Sequence, residues 1–286
     1  MAARAQGLIL AVALAAGAAA GAQPAARIVS LVPALTEMLF AIGAGPQVAA
    51  VSNYDDFPPE VKTLPHVGAL LDPDVERILA LRPDLVITYK SQDALEAQLA
   101  GAGIKTFSYR HGNLDALFRT MHDLGAATGH PAGAAGKAEE IRQQLEAVRA
   151  RVAGRGRPRV LLVFGREPQT LRQLYVSGGA GFLHEMLDIA GGTNVFGDVR
   201  RESVQPSQET LLARAPDVIL EVRATRPVLG TEVGRERAVW SALPSVPAVR
   251  TGRIHFLNGD HLVVPGPRIG AVTEAFARAI HPEAFQ

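Results

Sequence analysis

Apolar positions along the chain alternate between two rhythms: short unbroken runs, and longer stretches with apolar residues three and four apart. The first rhythm marks buried strands and the second amphipathic helices. RIVSLVP (27–33) is a strand stopped by Pro33, and ALTEMLFAIGAG after it is a helix closed by Gly43 and Gly45. A second strand at 48–52 leads into a polar, aromatic loop that Pro58 and Pro59 keep from starting as helix. There follow a helix at 74–81, strand DLVITY (84–89), a helix near 92–102, strand KTFSY (105–109) and a helix over 113–128. The stretch 131–154 places Ile141, Leu145, Val148 and Val152 at spacings of three and four. It predicts one helix of about twenty residues, roughly 30 Å long. The strand–helix rhythm then restarts with RPRVLLVFG (157–165). A helix at 180–190, a strand at 194–196, a helix at 207–214, a strand at 217–222, a helix near 231–241, strand RIHFL (253–257) and a helix at 267–280 complete it.

The restart is also a repeat. DVERILALRPDLVI (74–87) and SQETLLARAPDVIL (207–220) share five of fourteen residues at a constant offset of 133: Glu76 with Glu209, Leu79 with Leu212, Ala80 with Ala213, Pro83 with Pro216 and Asp84 with Asp217. TEMLFAIGAG (36–45) and HEMLDIAGGT (184–193) echo each other at an offset of 148. The expected fold is α/β, with two similar Rossmann-like lobes of mainly parallel sheet, one long helix joining them and a ligand cleft between them. The boundaries read as 1–22 for a signal peptide, 23–130 for the first lobe, 131–156 for the linker helix and 157–286 for the second lobe. A single stiff helix between lobes predicts little hinge closure.

Length and composition narrow the function. The 286 residues suffice for two lobes with their own cores. A net charge of +1, with 29 basic and 28 acidic residues and no long run of one sign, argues against nucleic acid or anionic membrane as the main partner. Arg4, the apolar stretch LILAVALAAGAAA and the small residues Ala20-Gly21-Ala22 make a secretory signal with cleavage near Ala22. That apolar stretch is shorter than the roughly 18 residues of a spanning helix. The mature chain is therefore expected in the periplasm, without stable membrane insertion and as a monomer. With no cysteine at all, disulfides, thiolate metal ligation and thiol catalysis are excluded.

Motifs for catalysis are missing. Gly178, Gly179 and Gly181 precede a helix but fit neither a P-loop nor a dinucleotide fingerprint, and HEMLD (184–188) has Asp188 where a zinc peptidase needs its second histidine. The eight histidines are scattered, and there is no G-x-S-x-G elbow. No catalytic residue, metal site or cofactor is assigned, and the chain reads as a non-enzyme. In open parallel sheets ligands sit beyond the carboxyl ends of the strands. The loops there are 53–60, 89–93, 109–113, 165–177, 197–206 and 258–266, and Tyr54, Phe57, Tyr89, Tyr109 and Phe164 lie in or beside them. Aromatic walls of that kind suit a large, flat, partly apolar ligand. Glu76 and Glu209 open equivalent helices. Two matched like charges on a pseudo-twofold pair suit two arginine pockets on a symmetric partner.

Taken together, RIVSLVPALTEMLFAIGAG, VSNYDDFPPEV, DPDVERILALRPDLVITY, the long helix, VLLVFG, GGTNVF and SQETLLARAPDVIL resemble the periplasmic cobalamin-binding proteins of ABC importers. That class is joined by one rigid helix and includes heme and ferric-siderophore binders. The resemblance implies a corrinoid held between the lobes and docking of Glu76 and Glu209 to arginines of the permease dimer. It also implies stacking by Tyr54, with Tyr89 in place of a tryptophan and Asp260 in the loop before Pro267-Arg268-Ile269. Leu70 and Ser203 stand where tryptophans are expected, and Val264 where an arginine is expected. The candidate ligand contacts are Pro33, Tyr54, Asp55, Tyr89, Phe164, Arg166, Asp260 and His261, with Arg166 and Asp260 as polar contacts. Two rival readings remain open within the class. Heme would take an axial ligand from Tyr54, Tyr89 or His261, and a siderophore would use Arg166, Arg172 and Arg268. An exported α/β enzyme is the reading from another class.

Overall fold

A computed structural model describes residues 23–224 and 227–286; the predicted signal peptide lies outside the described residues. The N-terminal half builds β1 (Ile28–Ser30), α1 (Pro33–Ala41), β2 (Val48–Val51), α2 (Val75–Ala80), β3 (Leu85–Tyr89), α3 (Asp93–Gly101), β4 (Lys105–Tyr109) and α4 (Leu114–Thr128). Its strands form a wholly parallel sheet in the order β2-β1-β3-β4. Helix α5 (Pro131–Val152) leads to β5 (Arg159–Gly165), β6 (Tyr175–Ser177), α6 (Phe182–Ile189), β7 (Thr193–Asn194), β8 (Ser203–Val204), α7 (Gln208–Arg214), β9 (Val218–Arg223), α8 (Thr231–Ala238), α9 (Pro247–Arg250), β10 (Ile254–Asn258) and α10 (Ile269–Ile280).

The second sheet runs β10-β9-β5-β6-β8, with β7 also on β5. β10, β9, β5 and β7 are parallel; β6 runs antiparallel to β5, and β8 runs antiparallel to β6 and so in the direction of β5. Strands β6 and β8 fall where the sequence pattern gave loops. They are two or three residues long and carry too few apolar positions to alternate visibly. The link from β5 to β6 holds no crossover helix, so the chain has to return antiparallel.

The 133-residue repeat is a repeat of bonds. In the first lobe Asp84 accepts the Ala26 and Arg27 amides at 2.8 and 3.0 Å, and the Arg27 side chain donates to the Leu81 carbonyl at 2.5 Å. In the second, Asp217 accepts the Arg159 amide at 2.9 Å, and the Arg159 side chain donates to the Arg214 carbonyl at 2.6 Å. Each aspartate thus ties the start of one strand to the end of a neighbouring helix. Both helices begin with a side-chain cap, Asp74 on the Arg77 amide and Ser207 on the Thr210 amide. Both are followed, just before Pro-Asp, by a residue of positive φ: Arg82 at 46° and Ala215 at 42°.

One apolar core is common to both halves. It runs from Ile28, Leu35 and Met38 through Ile141, Leu145 and Val148 of α5 to Met186, Phe276 and Ile280. Smaller cores cover the far faces of the two sheets, around Val29 and Ile78 in one and Trp240 and Ile219 in the other. Helix α5 approaches the first half so closely that a Cβ at Gly133 would lie 2.1 Å from the Ile42 carbonyl oxygen. Two glutamates from the E-M-L echo cross between halves. Glu37 of α1 accepts Arg268 Nε at 2.8 Å and a terminal guanidinium nitrogen at 2.5 Å, just ahead of α10. Glu185 of α6 accepts the Leu114 amide at 2.7 Å, at the start of α4.

Three substitutions test this packing. Gly133→Ala should destabilise by about 1–3 kcal/mol because backbone must move. Gly136→Ala on the same helix, where nothing lies within 4 Å, should stabilise by about 0.5–1 kcal/mol, both read by denaturant unfolding. Arg268→Met should cost about 3 kcal/mol at neutral pH by stranding buried Glu37. Burial already pushes the Glu37 carboxyl up, against the pull of Arg268. Stability linked to a raised carboxyl is full below its ordinary value and is lost as pH rises through the folded one. The Arg268→Met penalty should therefore shrink on acidification, and a pH-independent penalty would show that Glu37 is not its source.

Candidate functional site

The loops leaving the carboxyl ends of β1, β2, β3, β4, β5, β9 and β10 surround the interlobe cleft. A cavity of about 270 Å³ in it is lined by His111, Phe164, Phe182, Glu202, Ser203 and Val263, with residues 180, 181 and 183. His111 comes from the first half and the others from the second, so the space is shared between lobes. A larger cavity of about 970 Å³ lies at the opposite, amino ends of β3 and β4, around Arg82, Leu85 and Lys105. None of the strand-end loops reaches it, and the cleft is the candidate site.

The loop after β2 is rigid at its root and open at its tip. Asp55, 2% exposed, accepts the Ser52 amide at 2.8 Å and the Ser52 hydroxyl at 2.5 Å. The Ser52 hydroxyl in turn accepts the Tyr54 amide at 3.2 Å. Burial pushes the Asp55 carboxyl up, against the lowering by Ser52. Asp55 therefore shapes the loop instead of meeting ligand, which corrects its place among the expected contacts. Tyr54 is left 71% exposed and free to stack. Phe57 sits under the Arg268 guanidinium, 4.2 Å from ring centre to carbon, so the loop is fastened to the other lobe by a cation–π contact.

On the floor of the first lobe, Tyr89, Tyr109 and His111 form an aromatic cluster with centroids 5.2–5.4 Å apart. The Tyr89 hydroxyl bonds to His111 Nε2, and the Tyr109 hydroxyl lies 3.4 Å from Nδ1. Burial, with Glu202 adding in the same direction, pushes the Tyr89 phenol up to about 12 and Tyr109 further. Burial lowers His111, while Glu202 across the cleft pulls it the other way. The cluster is a neutral, polar-edged aromatic wall facing one carboxylate.

The second lobe offers a different wall. Phe164 at the end of β5 lines the cavity, with Tyr175 beside it at 6.4 Å between ring centres. Arg166 is not available there. Its side chain is fully buried, donating to Glu221 at 2.9 Å, to Glu236 at 2.5 Å and to the Thr170 carbonyl at 2.9 Å. Arg223 and the Trp240 indole complete that cluster, Arg223 on both carboxylates and the indole on Glu221. The expected polar contact from Arg166 is thus corrected: the buried carboxylates of Glu221 and Glu236 hold the guanidinium inside the lobe. Of the other basic candidates, Arg172 pairs with Glu167 on the surface and Arg268 is held by Glu37.

Pro33 occupies the first turn of α1, half-buried, where its missing amide costs nothing. Asp260 is exposed, accepts the His261 amide at 2.7 Å and lies 3.8 Å from Arg268. His261 is half-buried beside it. Glu76 and Glu209 are both exposed, each two residues after its helix cap. His111, Phe182 and Glu202 were not singled out by the sequence pattern. His111 and Glu202 lie in loops already marked as strand-end loops, but only the fold shows that they face each other. Among the described residues no group of three or more His, Asp or Glu side chains could hold a metal ion, and no helix is long and apolar enough to cross a membrane.

Compared with known proteins, residues 28–260 match the family described as periplasmic binding protein. The vitamin B12-binding protein of Yersinia pestis (strain Pestoides F) is 35% identical over 251 residues, covering 87% of this chain and 84% of its own length. Among solved structures, the periplasmic vitamin B12 binding protein BtuF of Vibrio cholerae superposes with a TM-score of 0.74 at 27% identity, over 92% of this chain and 99% of that one. A periplasmic heme binding protein from Pseudomonas aeruginosa gives 0.75 at 27% identity, over 90% and 93%. The two-lobed architecture, the shared cleft and these matches together make this chain a solute-binding protein that belongs to the periplasmic binding protein family.

Proposed function

We propose that the mature chain, cleaved near Ala22, resides in the periplasm as a monomer, captures a corrinoid in the interlobe cleft and delivers it to an ABC importer without catalysing a reaction. The supporting observation is where the exposed apolar side chains lie. The three most exposed large hydrophobics among the described residues are Leu71 at 94%, Tyr54 at 71% and Leu229 at 65%. All three stand on loops that leave the carboxyl ends of β2 and β9, one strand from each lobe. Apolar rims on two facing lobes suit a ligand broad enough to touch both. Lobes at 23–130 and 157–286 would each supply one rim, with residues 131–156 holding them apart.

The enclosed cavity accepts only an edge of a large macrocycle, against Phe164, Phe182 and His111. Tyr54 would stack on the exposed face, Pro33 and Tyr89 would back it, and Asp260 and His261 would meet polar substituents at the rim. The names of the vitamin B12-binding relatives agree with this ligand class. One observation favours heme as a second reading: the Tyr89 phenol is bonded to the His111 imidazole in the cleft, a base that would take its proton as the oxygen ligated a ferric ion.

Calorimetric titration with cyanocobalamin and with hemin separates the two. One-to-one binding of cyanocobalamin is expected, with Tyr54→Ala weakening it about tenfold through lost stacking and Tyr54→Phe near wild type. Binding of hemin alone, with a Soret shift abolished by Tyr89→Phe, would replace the corrinoid reading. For delivery, Glu76→Ala with Glu209→Ala is expected to keep ligand affinity and lose stimulation of the importer's ATPase. Lost ligand affinity in that double variant would count against docking.

A further inference from the structure

The docking helices carry a second duplicated feature. Leu79 and Leu212 are 38% and 41% exposed, and each lies three residues after its glutamate, on the same helix face. Of the seven large hydrophobics exposed among the described residues, these are the two that occupy equivalent positions of the 133-residue repeat. Neither is needed to seat its helix. That is done by the preceding residues, Ile78 at 0% and Leu211 at 1% exposure, themselves an equivalent pair. Matched caps and matched positive-φ endings fix carboxylate and leucine in the same relation in both lobes. A lone exposed leucine needs no explanation. The same leucine beside the same exposed carboxylate in both lobes is a surface pattern repeated by a pseudo-twofold.

Resting on the docking reading above, we infer that Glu76 with Leu79, and Glu209 with Leu212, form two equivalent docking patches. Each fits a cation flanked by an apolar side chain on one half of a two-fold symmetric membrane partner. A second copy of this chain does not fit, since pairing the patches with each other would set carboxylate against carboxylate. The arginine or lysine of the partner would neutralise the glutamate. The leucine would exclude water around that ion pair and so strengthen it, the arrangement that makes a charge contact at an interface energetic. Leu79 also borders the large cavity at the amino ends of β3 and β4, together with Gln23 and Pro24. Single variants at each leucine are therefore needed beside the double.

The test uses the full mature chain and its cognate ABC importer in proteoliposomes, reading the concentration that half-saturates ATPase stimulation, with cyanocobalamin affinity measured in parallel. Leu79→Ser with Leu212→Ser should leave ligand affinity unchanged and raise half-saturation at least about tenfold, the order of effect for losing burial of a leucine at a contact. Each single variant should give a comparable part of that loss, and Leu79→Met with Leu212→Met should restore most of it. Should Glu76→Ala with Glu209→Ala leave stimulation intact, the docking reading itself falls. Should the glutamate variant lose stimulation while the leucine double stays at wild-type half-saturation, only the apolar half of the patch is overturned. A loss confined to one leucine would overturn the equivalence of the two patches.

Discussion

The crossed pair of glutamate contacts between lobes is the constraint on which the cleft depends. Glu37 of α1 reaches the residue before α10, and Glu185 of α6 reaches the first amide of α4. Each lobe's early helix thus grips the start of the other lobe's last helix, once through a buried ion pair and once through a free helix-end amide. Desolvation makes the Glu37 carboxylate costly, and Arg268 offsets that cost only while the lobes keep their spacing. Because Arg268 also covers Phe57 at 4.2 Å, the same guanidinium that sets the lobes sets the loop bearing Tyr54. With α5 running through one apolar core that both lobes share, separating them would expose Ile141, Leu145 and Phe276 together. A cleft held this way is preorganised, so less of the contact energy with a ligand is lost to ordering.

The two lobes use the carboxyl ends of their sheets differently. In the first, β3 and β4 end in Tyr89 and Tyr109, which with His111 stay neutral through burial. In the second, β5 and β9 end beside Arg166 and Arg223, which lock Glu221 and Glu236 and tie α8 to the sheet. Buried charges of this kind add little net stability, but they fix how α8 sits against the sheet. His111 of the uncharged cluster and Phe164, two residues before Arg166 along the strand end, line the one cavity.

What was legible in the sequence was what period and spacing encode. The alternation of apolar runs with three-and-four spacing gave the order of strands and helices, and the 133-residue echo gave two lobes whose capped helices and Asp84 and Asp217 ties do recur as bonds. Strands β6 and β8 were not legible, because two or three residues carry no period, and the reversal of β6 comes from a short connection. The site was legible at the level of loops and less so by residue. Tyr54 and Phe164 lie where the pattern put them. Arg166 and Asp55 follow strands in sequence as a ligand contact would, yet their side chains turn inward to partners, Glu221 and Ser52, that no local pattern announces. His111 and Glu202 are ninety-one positions apart, and only tertiary folding brings them to one cavity.

Duplication is unevenly distributed over the molecule, and the unevenness has a physical reading. Outward-facing features recur in both lobes: the capped helices, Glu76 and Glu209, Leu79 and Leu212. Features at the carboxyl ends of the strands do not, since the position equivalent to Tyr89 is Val222 and the tyrosine–histidine cluster has an arginine–glutamate cluster as its counterpart. A repeat retained on the outer face suits a partner that is itself two-fold, because each half then presents the same contact. A repeat lost on the inside suits a ligand without two-fold symmetry, whose two faces require different walls. The phrase at 74–87 and 207–220 joins these requirements in one element. Its aspartate anchors the strand that carries the wall, and its glutamate and leucine point away from it, so recognition outside can stay symmetric while the pocket inside does not.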